Sequence, residues 1–515
     1  MTSKITVIDL FAGPGGLGEG FSAFKNESLE HPFKIALSVE KEPNAHRTLE
    51  LRSFFRQFSG EPPEEYYQYL RGELDREGLF DKFPSEARAA ITETLGGPRE
   101  MGKREDDAVI HEYLESLKFV EGPKVVIGGP PCQAYSLVGR SRNRGVEGYS
   151  AKEDKRHFLY REYLQVLHEV QPEVFIMENV KGILSSKVEG IEIFPSVLED
   201  LRDPGKALGR KKGKQYRIIP LAEESADDLF GAAPNGSDYV IKSEDYGVPQ
   251  ARHRVILLGI EDSPSLKFTG TMIKHLKQVH TKDVLSDLPA IRSGLTPSST
   301  DSAESWASVI RDASVLVEKE FRKIGLDYSA LEAFVAKAER LKVRGEPFIK
   351  RTRKFPKAHP MKPWYQDERL FGFTNHMSRG HKPEDLARYF FCSSFALQKE
   401  GISPKAPDFP SSLTPNHKNW NSGIFVDRFK VQVRNRCAST VTSHISKDGH
   451  YYIHHDPSQC RSLTVREAAR LQTFPDNYFF EGYQTAQYVQ VGNAVPPYLA
   501  RQIAEKVYEI IDGAL

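Results

Sequence analysis

The sequence is poor in several things, and each shortage removes a class of protein. Only four cysteines occur in 515 residues, Cys132, Cys392, Cys437 and Cys460, with no Cys-x-x-Cys pair. That excludes the disulfide framework of a small secreted scaffold and fits a reducing compartment. An excess of one charge is also missing. Lys and Arg number 71 against 70 Asp and Glu, leaving +1, so any nucleic-acid surface must come from local basic clusters. No apolar run approaches the length of a membrane-spanning helix. The opening residues, Met-Thr-Ser-Lys-Ile-Thr-Val, run straight into a strand pattern with no room for a signal peptide. A cytoplasmic protein without membrane contact is expected. Neither an internal repeat nor a coiled-coil heptad is visible. What is present is ordinary for a globular chain, 39% hydrophobic and 27% charged, and the length asks for two domains.

Residues 4–10 read as a buried strand, 13–20 as a glycine-rich turn leading into a short helix, and 34–40 as a second strand ending in an acid. This is a βαβ unit with a parallel sheet. Residues 51–107 are polar and helix-prone and read as an insertion on the sheet's rim. Strands resume at 124–128, at Val174 to Met177 and at 253–260, with a helix over about 155–170 and a basic, glycine-containing loop at 205–217. From about 285 the alternation of strand and helix is lost. Ser/Pro-rich stretches and basic clusters such as Lys350-Arg351-Thr352-Arg353-Lys354 take over. A helical pattern returns at 463–472, and a last helix covers about 496–512.

Four stretches carry candidate chemistry. In Asp9-Leu-Phe-Ala-Gly-Pro-Gly-Gly-Leu-Gly-Glu-Gly-Phe21, the run Phe11, Ala12, Gly13, Gly15, Gly16 and Leu17 lets a ligand approach the backbone at a helix N-terminus. Gly13, Gly15 and Gly18 fit Gly-x-Gly-x-x-Gly, and Glu40 stands where an acid would bind ribose hydroxyls. By itself this indicates a nucleoside cofactor of unspecified kind, or a tight turn with no ligand. In Gly128-Gly-Pro-Pro-Cys-Gln-Ala-Tyr-Ser136, two prolines stiffen the approach to Cys132 at the carboxyl end of a strand, where open α/β sheets gather their active sites. An arbitrary cysteine is more often a small buried hydrophobe. The following residues are rich in Gly, Ser and Arg (Arg140, Arg142, Arg144), the composition of a basic loop able to close over phosphates or of a plain surface loop. Glu178, in Phe175-Ile-Met-Glu-Asn-Val, ends a buried strand at the same sheet edge; the bland alternative is an ion pair or a cap. Arg252 and Arg254 flank His253 in Gln250-Ala-Arg-His-Arg254, and strand alternation would put both guanidinium groups on one side.

Together and in this order the four stretches resemble the DNA cytosine-5 methyltransferase family of the prokaryotic type. The resemblance covers most of the chain outside 51–107 and about 290–420. It extends to Arg461-Ser-Leu-Thr-Val-Arg-Glu-Ala-Ala-Arg-Leu-Gln-Thr-Phe-Pro475 and to Gln490-Val-Gly-Asn-Ala-Val-Pro-Pro497. It implies an α/β fold, a doubly wound, mostly parallel sheet of the Rossmann-like methyltransferase kind, with a second, smaller target-recognition domain. The expected division is 1–284 for the catalytic and cofactor domain, 285–475 for target recognition, and 476–515 returning to the first domain.

The resemblance also implies the chemistry. S-adenosylmethionine would lie on the glycine loop with Glu40, Pro131, Leu159 and Asn493 around it. The insertion blurs the spacing to the family's adenine-binding aspartate; Asp106 and Asp107 are candidates, and Asp107 is taken. Cys132 would add to carbon 6 of the base. Glu178, a carboxyl held near neutrality by burial, would protonate ring nitrogen 3. Arg254 would hold the base's carbonyl oxygen, and Arg252 would orient Glu178 and favour the thiolate. The cytosine must leave the base stack, with Gln133 and Ser136 filling the gap and Arg140 and Arg142 gripping phosphates. Arg379, His381 and Arg428 would touch double-stranded DNA. No metal is required; His444, His450, His454 and His455 read as exposed histidines on a strand pair rather than a zinc site. A monomer is expected, with room for a cognate restriction endonuclease acting separately. A nicotinamide-dependent oxidoreductase would leave Pro-Pro-Cys-Gln and Glu-Asn-Val unexplained. An RNA cytosine methyltransferase would not need so long a middle region, and a catalytically dead relative would not need Cys132 and Glu178.

Overall fold

Every side chain of the strand Ile5–Leu10 (β1) is buried, as a strand covered on both faces requires. In this computed structural model, which describes residues 4–131, 156–188, 191–211, 213–222, 234–268, 277–356, 359–416, 420 and 428–513, β1 is an interior strand of a seven-stranded sheet, next to its edge. The others are Phe33–Val39 (β2), Lys124–Gly128 (β3), Val174–Val180 (β4), Tyr216–Ile219 (β5), Val240–Lys242 (β6) and His253–Glu261 (β7). Their order is β2-β1-β3-β4-β7-β5, with β6 also on β7. β1 pairs in parallel with β2 and β3, and β3 with β4. β7 is antiparallel to β4, β5 and β6. Six strands thus run one way and β7 alone runs back, the mostly parallel α/β sheet that the sequence suggests. The reading of 205–217 as one loop needs correction, since Pro204–Ala207 is helical and β5 begins at Tyr216.

The two-residue alternation of the strands divides the core. Val7, Val125, Ile127, Ile176 and Ile256 point to one face, covered by Gly16–Ala23 (α1) and by the last helix. Ile8, Leu10, Val126, Phe175 and Leu257 point to the other, beneath Ile110 and Leu114 of Arg104–Lys118 (α6) and Tyr163 and Leu167 of Arg156–Val170 (α7). Pro43–Arg56 (α2) follows β2, its first turn held by the Glu42 carboxylate accepting from Ala45 N at 2.7 Å. Three short helices come next, Glu64–Leu70 (α3), Arg76–Lys82 (α4) and Pro84–Glu93 (α5). They pack with α2 around Phe54, Tyr66, Tyr67 and Leu79, and Leu370, from three hundred residues on, shares that core. The stretch read as a rim insertion is therefore wedged between the sheet and the later part of the chain.

Beyond residue 284, Ala303–Ile324 (α8) and Pro383–Gln398 (α9) pack around Trp306, Phe321, Phe390 and Phe391. The strands Gly345–Lys350 (β8) and Gly372–Met377 (β9) form an antiparallel pair. Three helices follow, Val465–Leu471 (α10), Gln484–Asn493 (α11) and Pro497–Asp512 (α12). α10 opens on a capping box of Thr464 with Glu467, and α12 lies on α1, contributing Leu499, Ile503 and Val507 to the first face. Ala438–Ser439 pairs with Gln250–Ala251, so the chain rejoins the sheet's edge before α10. No helix among the described residues is long and apolar enough to cross a membrane.

α10 carries buried charge. Arg461 gives Glu467 two bonds of 2.6 and 2.7 Å, with both side chains 1% exposed. Such a pair is not by itself stabilising, but removing one partner strands the other. Glu467→Ala should therefore lower the unfolding free energy by about 3–5 kcal/mol. The exposed pair of Glu318 and Arg322 on α8 serves as control. Urea denaturation checks this; a midpoint that moves no more in Glu467→Ala than in Glu318→Ala would contradict it.

Candidate active site

The glycine loop joins β1 to α1 through backbone conformations that side chains resist. Gly13 has φ +58° and Gly15 φ +95°. A Cβ at Gly15 would come within 2.9 Å of Leu49 and of the Tyr478 hydroxyl, and one at Gly16 within 2.3 Å of Val495 O. The space in front of Gly13 is open, with nothing within 4 Å of a Cβ there, which is the shape of a cradle for a nucleoside. Phe11 also lies in the left-handed region at φ 56°, while Leu17 is buried beneath the loop. Glu40, at the end of β2, accepts from Gly13 N at 2.8 Å and from Glu42 N at 2.7 Å. Burial pushes its carboxyl upward, and both oxygens keep lone pairs for a ribose. Arg99 N donates to Glu40 O at 2.8 Å, so the end of the insertion runs along this same edge. Gly102 follows, 3.7 Å (from a built Cβ) from Leu159, and its N–H donates to Asp107 at 2.8 Å. Asp107 and Leu159 therefore meet around Gly102. Asp106 is turned away, onto Arg99 and Glu100 N. Asn493, exposed at the end of α11, stands two residues before the Val495 carbonyl that lies on Gly16.

The second group gathers at the neighbouring strand ends. Arg254 Nε lies 2.9 Å from Glu178 Oε1, their side chains 15% and 13% exposed. A Cβ on Gly129 would be 3.1 Å from Glu178 Oε2, and Asn179 Nδ2 donates to Pro130 O at 3.4 Å. Gly129 and Pro130 thus lie against Glu178 and Asn179. Cys132, Gln133, Ser136, Arg140 and Arg142 lie outside the described residues.

The two arginines depart from the roles expected of them. Arg252 falls between Gln250–Ala251 and β7, where alternation is interrupted, and its side chain turns inward. It is 2% exposed and donates to Val441 O at 2.8 Å. Burial, then the charge of Arg254, lowers its guanidinium to about 9. Arg254, not Arg252, orients Glu178.

The expected DNA-contacting residues also need correction. His381 is 5% exposed, with its ring between Ser462 Oγ at 3.1 Å and the Tyr389 hydroxyl at 3.5 Å. It cannot reach a base. Arg379 is half-buried, stacks on Tyr488 and donates to the carbonyls of Lys447 and Ile445, so its guanidinium holds a turn. Arg428 pairs with Asp448 at 3.2 Å and keeps partial exposure. His450 and His454, expected on an exposed strand pair, are 6% and 4% exposed. His381 and Arg379 are drawn inward because backbone carbonyls and hydroxyls there need partners.

Sequence reasoning missed a further set. Arg52 of α2 grips Glu19 of α1 with bonds of 2.8 and 2.6 Å, both residues buried, and the Tyr478 hydroxyl donates to Pro14 O inside the glycine loop. Asp9 is fully buried below the loop, where burial pushes its carboxyl up to about 8. A carboxylate set between glycines at Gly18-Glu19-Gly20 was the available signal, since such an acid needs a buried cation.

The chain is similar to known proteins in sequence and in fold. The model of the family described as C-5 cytosine-specific DNA methylase matches residues 104–206 and 235–509. The Type II methyltransferase M.Bpa9945I of Bacillus paralicheniformis is 34% identical, over 98% of this chain and 99% of its own length. The Type II methyltransferase M.DdeI of Desulfomicrobium norvegicum is 28% identical, over 76% of this chain and 73% of its own. A solved structure of a candidate DNA modification methyltransferase encoded within a prophage (E. coli) has a TM-score of 0.51 at 20% identity, covering 99% of this chain and all of that one, and so shares the fold.

His376, grouped with His381 in the sequence, is wholly buried between Thr464 Oγ1 and Pro289 O, each at 2.9 Å. Burial lowers its pKa from 6.5 to about 4, against the pull of Glu467. Between those values the unfolded chain binds a proton that the folded chain refuses. Its contribution is therefore intact above about pH 6.5 and is lost as pH falls toward 4, a change of about 3 kcal/mol. His376→Gln, which cannot take up the proton, should flatten that limb of a stability-against-pH curve. An equally steep limb in the variant would rule His376 out as its source.

Proposed function

Because the chain belongs to the C-5 cytosine-specific DNA methylase family and so methylates carbon 5 of cytosine in DNA, we propose that it draws the methyl group from S-adenosylmethionine and acts on a cytosine turned out of the duplex, through a covalent adduct at Cys132. The observation that carries this reading is the convergence at one sheet edge of the glycine cradle, the Glu178–Arg254 pair and the Gly-Gly-Pro-Pro segment entering Cys132. The cofactor supplies an electrophilic methyl group; Gly13, Gly15, Glu40, Asp107, Leu159 and Asn493 would hold it.

The chain's own residues do the rest. Cytosine carbon 5 is a poor nucleophile until a thiolate adds to carbon 6 and converts the ring to an enamine. Cys132 forms that bond. Negative charge then moves toward ring nitrogen 3, where the Glu178 carboxyl, oriented by Arg254, donates a hydrogen bond and a proton, an interaction stronger in the transition state than in the ground state. Once carbon 5 carries the methyl group, its proton passes to solvent, the Cys132 thiolate leaves carbon 6, and ring nitrogen 3 returns its proton to Glu178. Arg252, buried beneath this edge, supports it from behind. The target must be flipped because neither face of a stacked base is open to a thiol. Residues 285–475 are assigned to target recognition, with exposed Lys350, Arg353 and Lys354 replacing His381 as the cations that meet DNA. The protein is placed in the cytoplasm as a monomer, alongside a cognate endonuclease acting separately.

DNA carrying 5-fluorocytosine at the target should form a denaturant-resistant complex with the wild type, because fluorine blocks the final elimination, and none with Cys132→Ala. Absence of that complex when S-adenosylmethionine and the right duplex are present would remove the covalent step. Glu178→Gln should slow single-turnover methyl transfer by about 10²–10⁴-fold, with S-adenosylhomocysteine affinity unchanged. An unchanged rate would take Glu178 out of the chemistry.

A further inference from the structure

The turn Pro475 to Tyr478 touches both halves of the molecule with consecutive residues. Asp476 accepts from Arg351 at 2.9 Å and from Arg470 at 2.8 Å. Arg351 is the next residue after β8, and its neighbours Lys350, Arg353 and Lys354 are exposed, with no ion pair to any described acid. Asn477 divides its carboxamide. Oδ1 accepts from Arg52 at 3.2 Å and Nδ2 donates to Asp367 at 2.7 Å. Arg52 in turn holds Glu19 on the helix that the glycine loop opens, and Tyr478 bonds the loop itself at Pro14 O. An unbroken path, Asp367 to Asn477 to Arg52 to Glu19, therefore joins the segment that precedes β9 to the cofactor cradle.

The insertion steadies the far end of this path. The Tyr67 hydroxyl donates to Asp367 at 2.7 Å, and that of Tyr66 to Asn477 O at 3.1 Å. Arg369 stacks on Tyr67 and donates to Pro62 O. Its own cations Arg71, Arg76 and Lys82 are committed to glutamates, which makes α3 and α4 a brace rather than a DNA-facing surface. Asp367 lies four residues before Phe371, whose carbonyl accepts from Arg351 N, and Lys350 faces Gly372 in the β8–β9 pair. The basic end of that pair is thus bonded to the segment that carries Asp367.

We propose that Asp367 and Asn477 are positioning residues that couple DNA engagement by the second domain to cofactor binding at the glycine loop. This rests on the reading of that loop as the S-adenosylmethionine site. The carboxamide has a fixed polarity, oxygen toward Arg52 and nitrogen toward Asp367, so displacing the Asp367 segment must reorient the Arg52–Glu19 pair. Coupling is a free energy shared by the two sites and is reciprocal, and contact alone does not establish it.

The test is a linkage measurement on the full chain. S-adenosylhomocysteine is titrated by calorimetry with and without a duplex containing the sequence found methylated by bisulfite sequencing of DNA from an expressing host. In the wild type, DNA should tighten S-adenosylhomocysteine by at least about fivefold, the low end of usual coupling factors. In Asn477→Ala and in Asp367→Ala the factor should fall to within about twofold of none, with affinity in the absence of DNA and melting temperature close to wild type. The double variant should be no worse than either single one, as one path requires. Asp367 is only partly buried and lies in a loop, so Asp367→Ala carries the test if Asn477→Ala does not fold. Tightening retained in Asp367→Ala, or absent in a wild type that binds S-adenosylhomocysteine, overturns the relay. A wild type that does not bind S-adenosylhomocysteine at all overturns the cofactor reading beneath it.

Discussion

The architecture beyond the sheet depends on one constraint, that three arginines in and beside α10 are buried and must be satisfied by the protein itself. Arg461 takes Glu467 and Ile291 O, Arg466 takes Thr374 and the carbonyls of Pro475 and Tyr478, and Arg470 takes Asp287, Asp476 and Val284 O. A guanidinium withdrawn from water without partners costs several kcal/mol, so each of these acceptors is fixed as firmly as the helix is. They come from the segment leaving the sheet, from β9 and from the turn after α10. One short helix therefore fixes three remote stretches relative to one another, and the aromatic rings of Phe355, Tyr365 and Phe373 close over Arg470.

Much of the sheet was readable because strands buried on both faces are continuous apolar runs, and Ile5–Leu10, Lys124–Gly128 and His253–Glu261 leave little choice of secondary structure. Backbone chemistry was readable for a similar reason. A glycine loop, a stiffened Gly-Gly-Pro-Pro entry and an acid at a strand end announce geometry in their composition. Side-chain destination was not. Arg252 and Arg254 differ by two positions, yet the break between Gln250–Ala251 and β7 sends one inward and leaves the other on Glu178. In the irregular region no periodicity says which polar residues face water, so His381, His450 and His454 looked like surface donors and are interior ones. The role of 51–107 was hidden because its core is completed by Leu370 and Phe479, hundreds of residues away.

The site shows how a sheet edge can serve two chemistries at once. Adjacent strands deliver the glycine loop after β1 with Glu40 after β2, and the Glu178–Arg254 pair at β4 and β7, so the two proposed sites are neighbours by topology before any side chain is placed. Glu40 illustrates the economy of the arrangement, since the acid suited to a ribose also pins Gly13 N and Glu42 N, fixing the loop it serves.

The pairing of α12 with α1 bears on the order in which the molecule can be made. The face of the sheet behind the glycine loop is closed by Leu499, Ile503 and Val507, and Gly16 is backed by Val495. These residues leave the ribosome after more than four hundred others. Until then β1 exposes one apolar side to water, and the first-made part of the protein must wait, half-covered, for the last. The N-terminal half therefore shares its core with residues that are made much later. A chain interrupted before α12 leaves that face of the sheet uncovered behind the glycine loop.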